Sequence, residues 1–523
     1  MEGNAGILSI VPPLVAITLA LITKEVIFSL VIGIMSGALI YTILSGLGIM
    51  GIFTVTVEAM TLRFNIEMII FLALLGIIVV LVTKAGGSAA YGLWAAKRIK
   101  SKQSAGVSTG ILGLILFIDD YFNCLTLGTI MRPITDRYKM SREKLSYIID
   151  STAAPICIIA PVSSWAAAVI SYYPTDDGIT GMQAFIGSIP MNLYALLTLF
   201  MVFWLAKRKN ADYGPMAAAE KRAEETGVLG EEMDAFGGDD ELEKMKISSK
   251  GKISDLVLPV VALVVFCVIA MLVYGGFADL EGSLGGRMIE AIGDTDAGLA
   301  LLMGGIGTLI VTFFIYVPRK VLSFGEFFGS IGPGVRSMVP ALIILTLAWT
   351  ISAICRNMLN TGSYVAALVE ASSMPVMIIP AIMFFIAAVL SFSIGTSWGT
   401  FGILIPIGMD ICVSVAPELS ILTLSAILAG SVFGDHASVI SDTSILSSIG
   451  GRCKHIDHVR TQIPYALTVA VVCFIGYILF GALMGPLGTG LSIAITLPVS
   501  LAMLIALLLI LPKVWKQAPA SKA

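Results

Sequence analysis

The chain has 523 residues, of which 57% are hydrophobic and only 13% charged, with a mean hydropathy of +0.95. Soluble domains carry roughly 25% charged residues, so a soluble globular protein is excluded and a polytopic membrane protein is the class that fits. The net charge of −3 leaves no footprint for nucleic acid.

The N-terminus, Met1 to Gly6, lacks the basic start of a cleaved signal peptide, so the first apolar run reads as a mature spanning helix. A span needs about 20 mostly apolar residues. Runs that qualify are 6–23, 26–49, 64–83, 182–206, 253–275, 297–317, 337–356, 462–484 and 490–511. Two more, 145–172 and 420–450, are long enough but interrupted by Pro, Gly or polar residues. Residues 106–131 and 377–408 are apolar at both ends with a polar middle. Residues 86–105 and 319–335 read as interfacial segments. The stretch 207–252 holds nine Lys/Arg and eleven Asp/Glu and reads as a solvated, partly disordered cytoplasmic linker. The seven cysteines lie scattered, with no C-x-x-C pair, and read as small apolar packers.

Lys and Arg cluster in 97–102, 132–144, 207–252, 319–320 and 452–460, whereas 173–181, 357–374 and 409–419 contain none. Placing the basic loops inside puts the N-terminus outside and the C-terminus inside the cytoplasmic membrane. Segments 97–102 and 132–144 then share one side, so 106–131 must enter the bilayer and return. The same logic makes 377–408 dip from the opposite face. Irregular backbone at that depth survives only where protein or a watery cavity covers it. The expected fold is therefore all-α and polytopic, with about 11 spans. It is an inverted-topology repeat with two opposed re-entrant hairpins and two broken helices. The first repeat is 6–206 (hairpin 106–131, broken helix 145–172). The second is 253–484 (hairpin 377–408, broken helix 420–450), and 490–511 is an added span.

Ionisable groups at the bilayer centre cost roughly 2.5–3.5 kcal/mol each. Asp119, Asp120, Asp150, Asp435, His436 and Asp442 all fall in or beside the four irregular elements. Hydroxyls at Ser151, Thr152, Thr396, Ser397, Ser438, Ser441 and Thr443 suit a dehydrated sodium ion, and Asn123 can add a carbonyl oxygen. Trp165 and Trp398 beside the breaks read as packing residues, and Arg132 as a membrane-face anchor. His455 and His458, among Arg452, Lys454 and Arg460, read as a solvated cytoplasmic face. An intramembrane hydrolase built on Ser438 or Ser441 with His436 is disfavoured, because a serine so close in sequence to the histidine on a broken helix makes a poor nucleophile–base pair. The reading is not an enzyme.

The run Phe433-Gly434-Asp435-His436-Ala437-Ser438-Val439-Ile440-Ser441-Asp442-Thr443-Ser444, continuing to His455-Ile456-Asp457-His458-Val459-Arg460, resembles the NhaC family of sodium/proton antiporters. So do Asp119-Asp120-Tyr121-Phe122-Asn123, Arg132-Pro133-Ile134-Thr135-Asp136 and Ser151-Thr152-Ala153-Ala154-Pro155. The resemblance implies paired hairpins, scaffold and transport subdomains, elevator-type movement and a homodimer, with no cofactor beyond the sodium ion carried. Related dicarboxylate carriers share Ser-Asn-Thr at their hairpin tips. Here the tips read Asp119-Asp120 and Gly395-Thr396-Ser397, which argues against a pocket of that type.

The expected function is exchange of sodium for protons at a buried carboxylate that holds one or the other. Asp119 or Asp120 and Asp442 are the principal sodium and proton ligands, tuned by Asp435 and His436. The alternative is a sodium- or proton-coupled carrier of a small organic solute, such as an amino acid or carboxylate.

Overall fold

The computed structural model describes residues 5–23, 25–62, 64–173, 179–230, 247–361, 364, 375–439 and 441–515. Every regular element among them is helical. The chain opens with α1 (Val11–Thr23), α2 (Val26–Leu44), α3 (Gly51–Leu62), α4 (Ile66–Ala85) and α5 (Gly87–Arg98). Next come α6 (Lys102–Ile115), α7 (Asp120–Arg137), α8 (Arg142–Cys157), α9 (Ser164–Tyr172), α10 (Gly181–Ser188) and α11 (Leu193–Lys207). Helix α12 (Gly214–Thr226) lies in the charged linker and is followed by α13 (Ser254–Tyr274), α14 (Leu284–Asp294), α15 (Ala297–Tyr316), α16 (Phe324–Phe328) and α17 (Ile331–Ala353). The last group is α18 (Ile379–Ile394), α19 (Ser397–Val415), α20 (Ser420–Ala437), α21 (Asp442–Gly451) and α22 (His455–Val514).

Eight described helices are long and apolar enough to cross a membrane, or nine if the bent pair α10–α11 counts as one span. That count takes α22 once, although it holds both expected spans 462–484 and 490–511, and it leaves out apolar runs that are cut into shorter helices. The run 26–49 ends at Leu44, where Gly46 takes φ +67°, and a separate helix, α3, follows. The run 182–206 bends by 46°. Pro190 has no N–H to continue the ladder there, and Asn192 starts the next helix by accepting from the Ala195 N–H at 3.1 Å. Helix α22 is interrupted at Gly488 (φ 71°, ψ 173°). A Cβ on Gly476 would lie 2.8 Å from the Ser500 hydroxyl. Residues 24 apart on a straight helix are ~36 Å apart, so the chain reverses at Gly488.

Four breaks fall within the expected hairpins and broken helices. Residues 116–119 separate α6 from α7, and 158–163 separate α8 from α9. Gly395-Thr396 separates α18 from α19, and residues 438–441 separate α20 from α21. Helices α9 and α21, with nine and ten residues, are ~15 Å long, about half of a hydrocarbon core.

With lipid outside, helices associate through close backbone approach at small residues. Gly128 on α7 faces Gly450 on α21, and Gly76 on α4 faces Gly334 on α17. Gly434 lets α20 lie against the backbone of Ala388 and Phe392 on α18. All seven cysteines are buried and free, consistent with a packing role.

Helix α12 is docked by charge. Lys144 bonds Asp212 at 2.6 Å, Lys102 bonds Glu220 at 2.7 Å and Arg222 bonds Glu143 at 2.8 Å. Burial favours the neutral form of Glu220, but the ammonium groups of Lys144 and Lys102 prevail and hold its carboxyl below the usual range. Residues 231–246 of the linker lie outside the described residues.

Gly434→Ala places a methyl group against α18 backbone and is expected to cost roughly 1–3 kcal/mol. Gly490, with open space at its Cβ, is the control: its alanine variant keeps the parent melting temperature in detergent. A lowered Glu220 pKa stabilises the docked linker above the ordinary glutamate value of about 4.3. That contribution is lost as pH falls through the lower folded value. Glu220→Gln should therefore reduce stability by roughly 1–3 kcal/mol at pH 7 and show a smaller loss below pH ~4 than the parent, read by thermal unfolding across pH.

Candidate functional site

Cutting a helix in an apolar interior leaves N–H and C=O groups that must find new partners. At the first hairpin turn the Asp119 carboxylate accepts from the Phe122 N–H at 3.0 Å and caps α7. Its other oxygen accepts from the Ser164 hydroxyl at 3.1 Å. The Ser164 N–H donates to the Ile118 carbonyl at 3.0 Å. The hairpin turn is thus fastened to the second half of its own broken helix. Asn123 closes the hairpin from inside, its amide nitrogen donating to the Gly113 carbonyl at 2.8 Å, while its Oδ1 stays buried without a hydrogen bond. Asp120 is buried in the first turn of α7.

The second hairpin repeats the arrangement with the partners exchanged. Here the hairpin supplies the hydroxyl and the broken helix the acid. Ser397 donates to the Asp435 carboxylate at 2.9 Å and to the Ser431 carbonyl at 3.1 Å. Across the helix break, Ser441 donates to the other Asp435 oxygen at 2.6 Å. Ser441 also caps α21 through the Ser444 N–H and lies 3.0 Å from the Thr443 hydroxyl. Asp435 is 1% exposed. Thr396 occupies the extended turn before α19, and Ser438 is buried in the break. Asp442 begins α21, but its side chain lies outside the described residues.

A third cluster joins the two halves. Asp150, fully buried on α8, accepts at Oδ2 from the Ser444 hydroxyl at 2.7 Å and the Gln462 amide at 2.5 Å. His458 Nε2 sits 3.3 Å from the same oxygen. His436 Nε2 lies 4.0 Å from Asp150 Oδ1, and its Nδ1 is 3.2 Å from the Tyr194 hydroxyl. Gln462 also donates to the His436 carbonyl at 2.9 Å. His458 is 0% exposed, so its expected place on a solvated face is corrected. Residues 458, 462 and 465 follow helical i, i+4, i+7 spacing and turn one polar stripe inward. That spacing was the available signal for His458 and Gln462. Ser444 and Ser164 had weaker ones, as hydroxyls in the first turn after a break. His455, half-exposed, bonds the Val439 carbonyl at 2.7 Å.

Ser151 and Thr152 are buried, and the Thr152 hydroxyl bonds back to Ile148 at 2.7 Å, which is ordinary helix behaviour. Trp165 and Trp398 meet edge to face at 6.3 Å, bringing α9 and α19 together beside the breaks. A cavity of about 820 Å3 runs beside the first hairpin, between α5 and α7. Among the described residues no group of three or more His, Cys, Asp or Glu is arranged to hold a metal ion.

An uncharacterized Haemophilus influenzae protein is 38% identical over 500 residues, covering 92% of both chains. Shorter matches are to the arginine/ornithine antiporter ArcD of Halobacterium salinarum (38% over 109 residues, 20% of this chain and 22% of that one). The malate-2H(+)/Na(+)-lactate antiporter of Bacillus subtilis also matches (31% over 104 residues, 19% and 21%). The model of the Na+/H+ antiporter family matches residues 175–482, more than half of the sequence. The chain is a multi-pass membrane transporter and belongs to the Na+/H+ antiporter family.

Proposed function

We propose that this transporter exchanges sodium for protons, with Asp435 as the carboxylate that holds one or the other. The observation that carries this reading is the shell around Asp435: two hydroxyls donated from opposite sides, Ser397 from a hairpin turn and Ser441 from across a helix break. A hydroxyl both donates and accepts. With the site unloaded, Ser397 and Ser441 donate to the carboxylate. With sodium present they turn lone pairs toward the ion, and the neighbouring Thr443 hydroxyl supplies another oxygen. A hard, small cation is matched by such oxygen donors. A proton on the carboxyl removes the charge that attracts sodium, so the two occupants exclude each other.

The shell also ties occupancy to movement. Ser397 belongs to the hairpin and Ser441 to α21, so a bound ion bridges elements that are otherwise separate in the chain. Asp119 with Ser164 forms the corresponding pair in the first half, and Asp120 and Asn123 stand next to it. Asp150 is a positioning residue in this reading: it holds Ser444, in the same first turn of α21 as Ser441, and so fixes where that turn sits. His436, His458 and Gln462 complete its support. Sodium is cargo here, not a resident cofactor.

Proteoliposomes test the assignment. Asp435→Asn is expected to abolish sodium-driven pH change, while Ser397→Ala and Ser441→Ala each weaken apparent sodium affinity by about 5–10-fold. Full exchange by Asp435→Asn would remove this carboxylate from the mechanism. Asp150→Ala strands three buried partners and is expected to lower stability by roughly 3 kcal/mol or more, whereas Asp150→Asn keeps most of it. The two melting temperatures in detergent provide the check.

A further inference from the structure

The break after α20 leaves backbone carbonyls with no helical partner. The one at Val439 is taken up by a side chain from another helix: His455 Nε2 lies 2.7 Å from it. A carbonyl oxygen only accepts, so this nitrogen carries a hydrogen. The other ring nitrogen, Nδ1, lies 3.1 Å from the Ser448 hydroxyl on α21. A tight turn sets up this arrangement. Arg452 ends α21 in the left-handed conformation (φ 50°, ψ 45°), and α22 starts at His455, three residues later. The His455 ring therefore ties the break to the helix that Ser441 caps.

Ser448 has one hydroxyl hydrogen, and it donates to the Ser444 carbonyl at 2.7 Å. While it does so, its oxygen can only accept from His455, which requires a hydrogen on Nδ1 as well. The imidazolium form then satisfies three contacts together: Nε2 to Val439, Nδ1 to Ser448 and Ser448 to Ser444. The neutral ring, with its hydrogen on Nε2, has to give one of them up. His455 is half-exposed, so it exchanges protons with solvent, whereas His458 is fully buried. The titratable groups that act on His455 are His458 on α22 and Asp150 on α8. Arg452 and Lys454 precede it in the turn, and Asp457 follows it on α22. From α21 and the break it meets the Ser448 hydroxyl and the Ser444 and Val439 carbonyls.

We infer that His455 is a positioning residue for the Asp435 site, holding the break at Val439 more firmly as the imidazolium than as the neutral ring. Val439 follows Ser438 and lies two residues before Ser441, whose hydroxyl donates to Asp435 at 2.6 Å. The backbone that His455 holds is thus the backbone that aims this hydroxyl. The inference rests on the exchange reading above for its sodium readout, and it adds control by a proton at a second place, away from the carboxylate. The two protons act in opposite senses. On Asp435 a proton displaces sodium, whereas on His455 it secures the shell that sodium enters.

The test uses the full chain in proteoliposomes from about pH 5 to about pH 8.5, on either side of the ordinary histidine value of about 6.5. His455→Ala is expected to raise the KM for sodium about 3–10-fold, the effect of one or two hydrogen bonds, with kcat little changed. His455→Gln can still donate to Val439 but takes no charge. It should recover most of the loss at the alkaline end and less of it at the acid end. Competition at Asp435 is common to the parent and the Gln variant, so the ratio of their KM values isolates the ring. A parental KM in His455→Ala, or a ratio that stays constant with pH, overturns the inference. Hydrogen exchange at residues 435–439, in detergent without sodium and compared between variants at the same pH, reads the break directly. It should be faster in His455→Ala than in the parent, and faster in His455→Gln only at the acid end; equal rates in all three overturn the inference. If these differences are present while the parent shows no sodium-driven pH change, the exchange reading falls and the hold on the break stands.

Discussion

The constraint on which this structure depends is that no backbone or side-chain polar group can be abandoned in an apolar interior. Once α8/α9, α20/α21 and the two hairpins are broken, their ends must be satisfied by side chains from elsewhere. Asp119 and Ser164 do this in one half, and Ser397, Asp435 and Ser441 in the other. In the exchange proposed above, the residues that repair the broken helices are therefore the same ones that would present carboxylates and hydroxyls to a cargo. In that reading, structural need and transport chemistry fall on the same atoms because water is absent from both problems.

That overlap explains the exchanged pattern of the two hairpins. An acid on the turn paired with a hydroxyl on the broken helix is equivalent, as a hydrogen bond, to a hydroxyl on the turn paired with an acid on the helix. It is not equivalent electrostatically. In the first pair the acid, Asp119, sits on the hairpin turn, and in the second the acid, Asp435, sits on the broken helix. Asp150 then joins the halves through Ser444, His458 and Gln462. Removing any member leaves a buried donor or acceptor exposed to nothing, so the cluster behaves as one unit.

The helix contacts around these breaks use glycine where backbones must come close. Gly128 against Gly450 seats α7 on α21, which puts the first hairpin of one half directly on the broken helix of the other. Outside the membrane the same economy of charge appears in α12, where Lys144, Lys102 and Arg222 each meet a carboxylate. Opposite charges in partly buried contact can hold a linker that would otherwise be soluble and loose.

Much of this was legible in the residues. Low charge and long apolar runs determine a helical membrane protein, since only helices or closed barrels satisfy the backbone in lipid. Polar interruptions at Asp119-Asp120, Gly395-Thr396-Ser397 and Asp435 to Thr443 mark where helices stop, because local residue chemistry governs caps and breaks. Partnerships between distant positions are another matter. The spacing of His458, Gln462 and Tyr465 places them on one helix face, but only the packing decides that this face is buried on Asp150, 308 residues from His458. The reach of Ser444 to Asp150 and the cavity between α5 and α7 are likewise decided by packing. Helix breaks are written in short stretches of sequence, but which break faces which depends on how the helices approach one another in three dimensions.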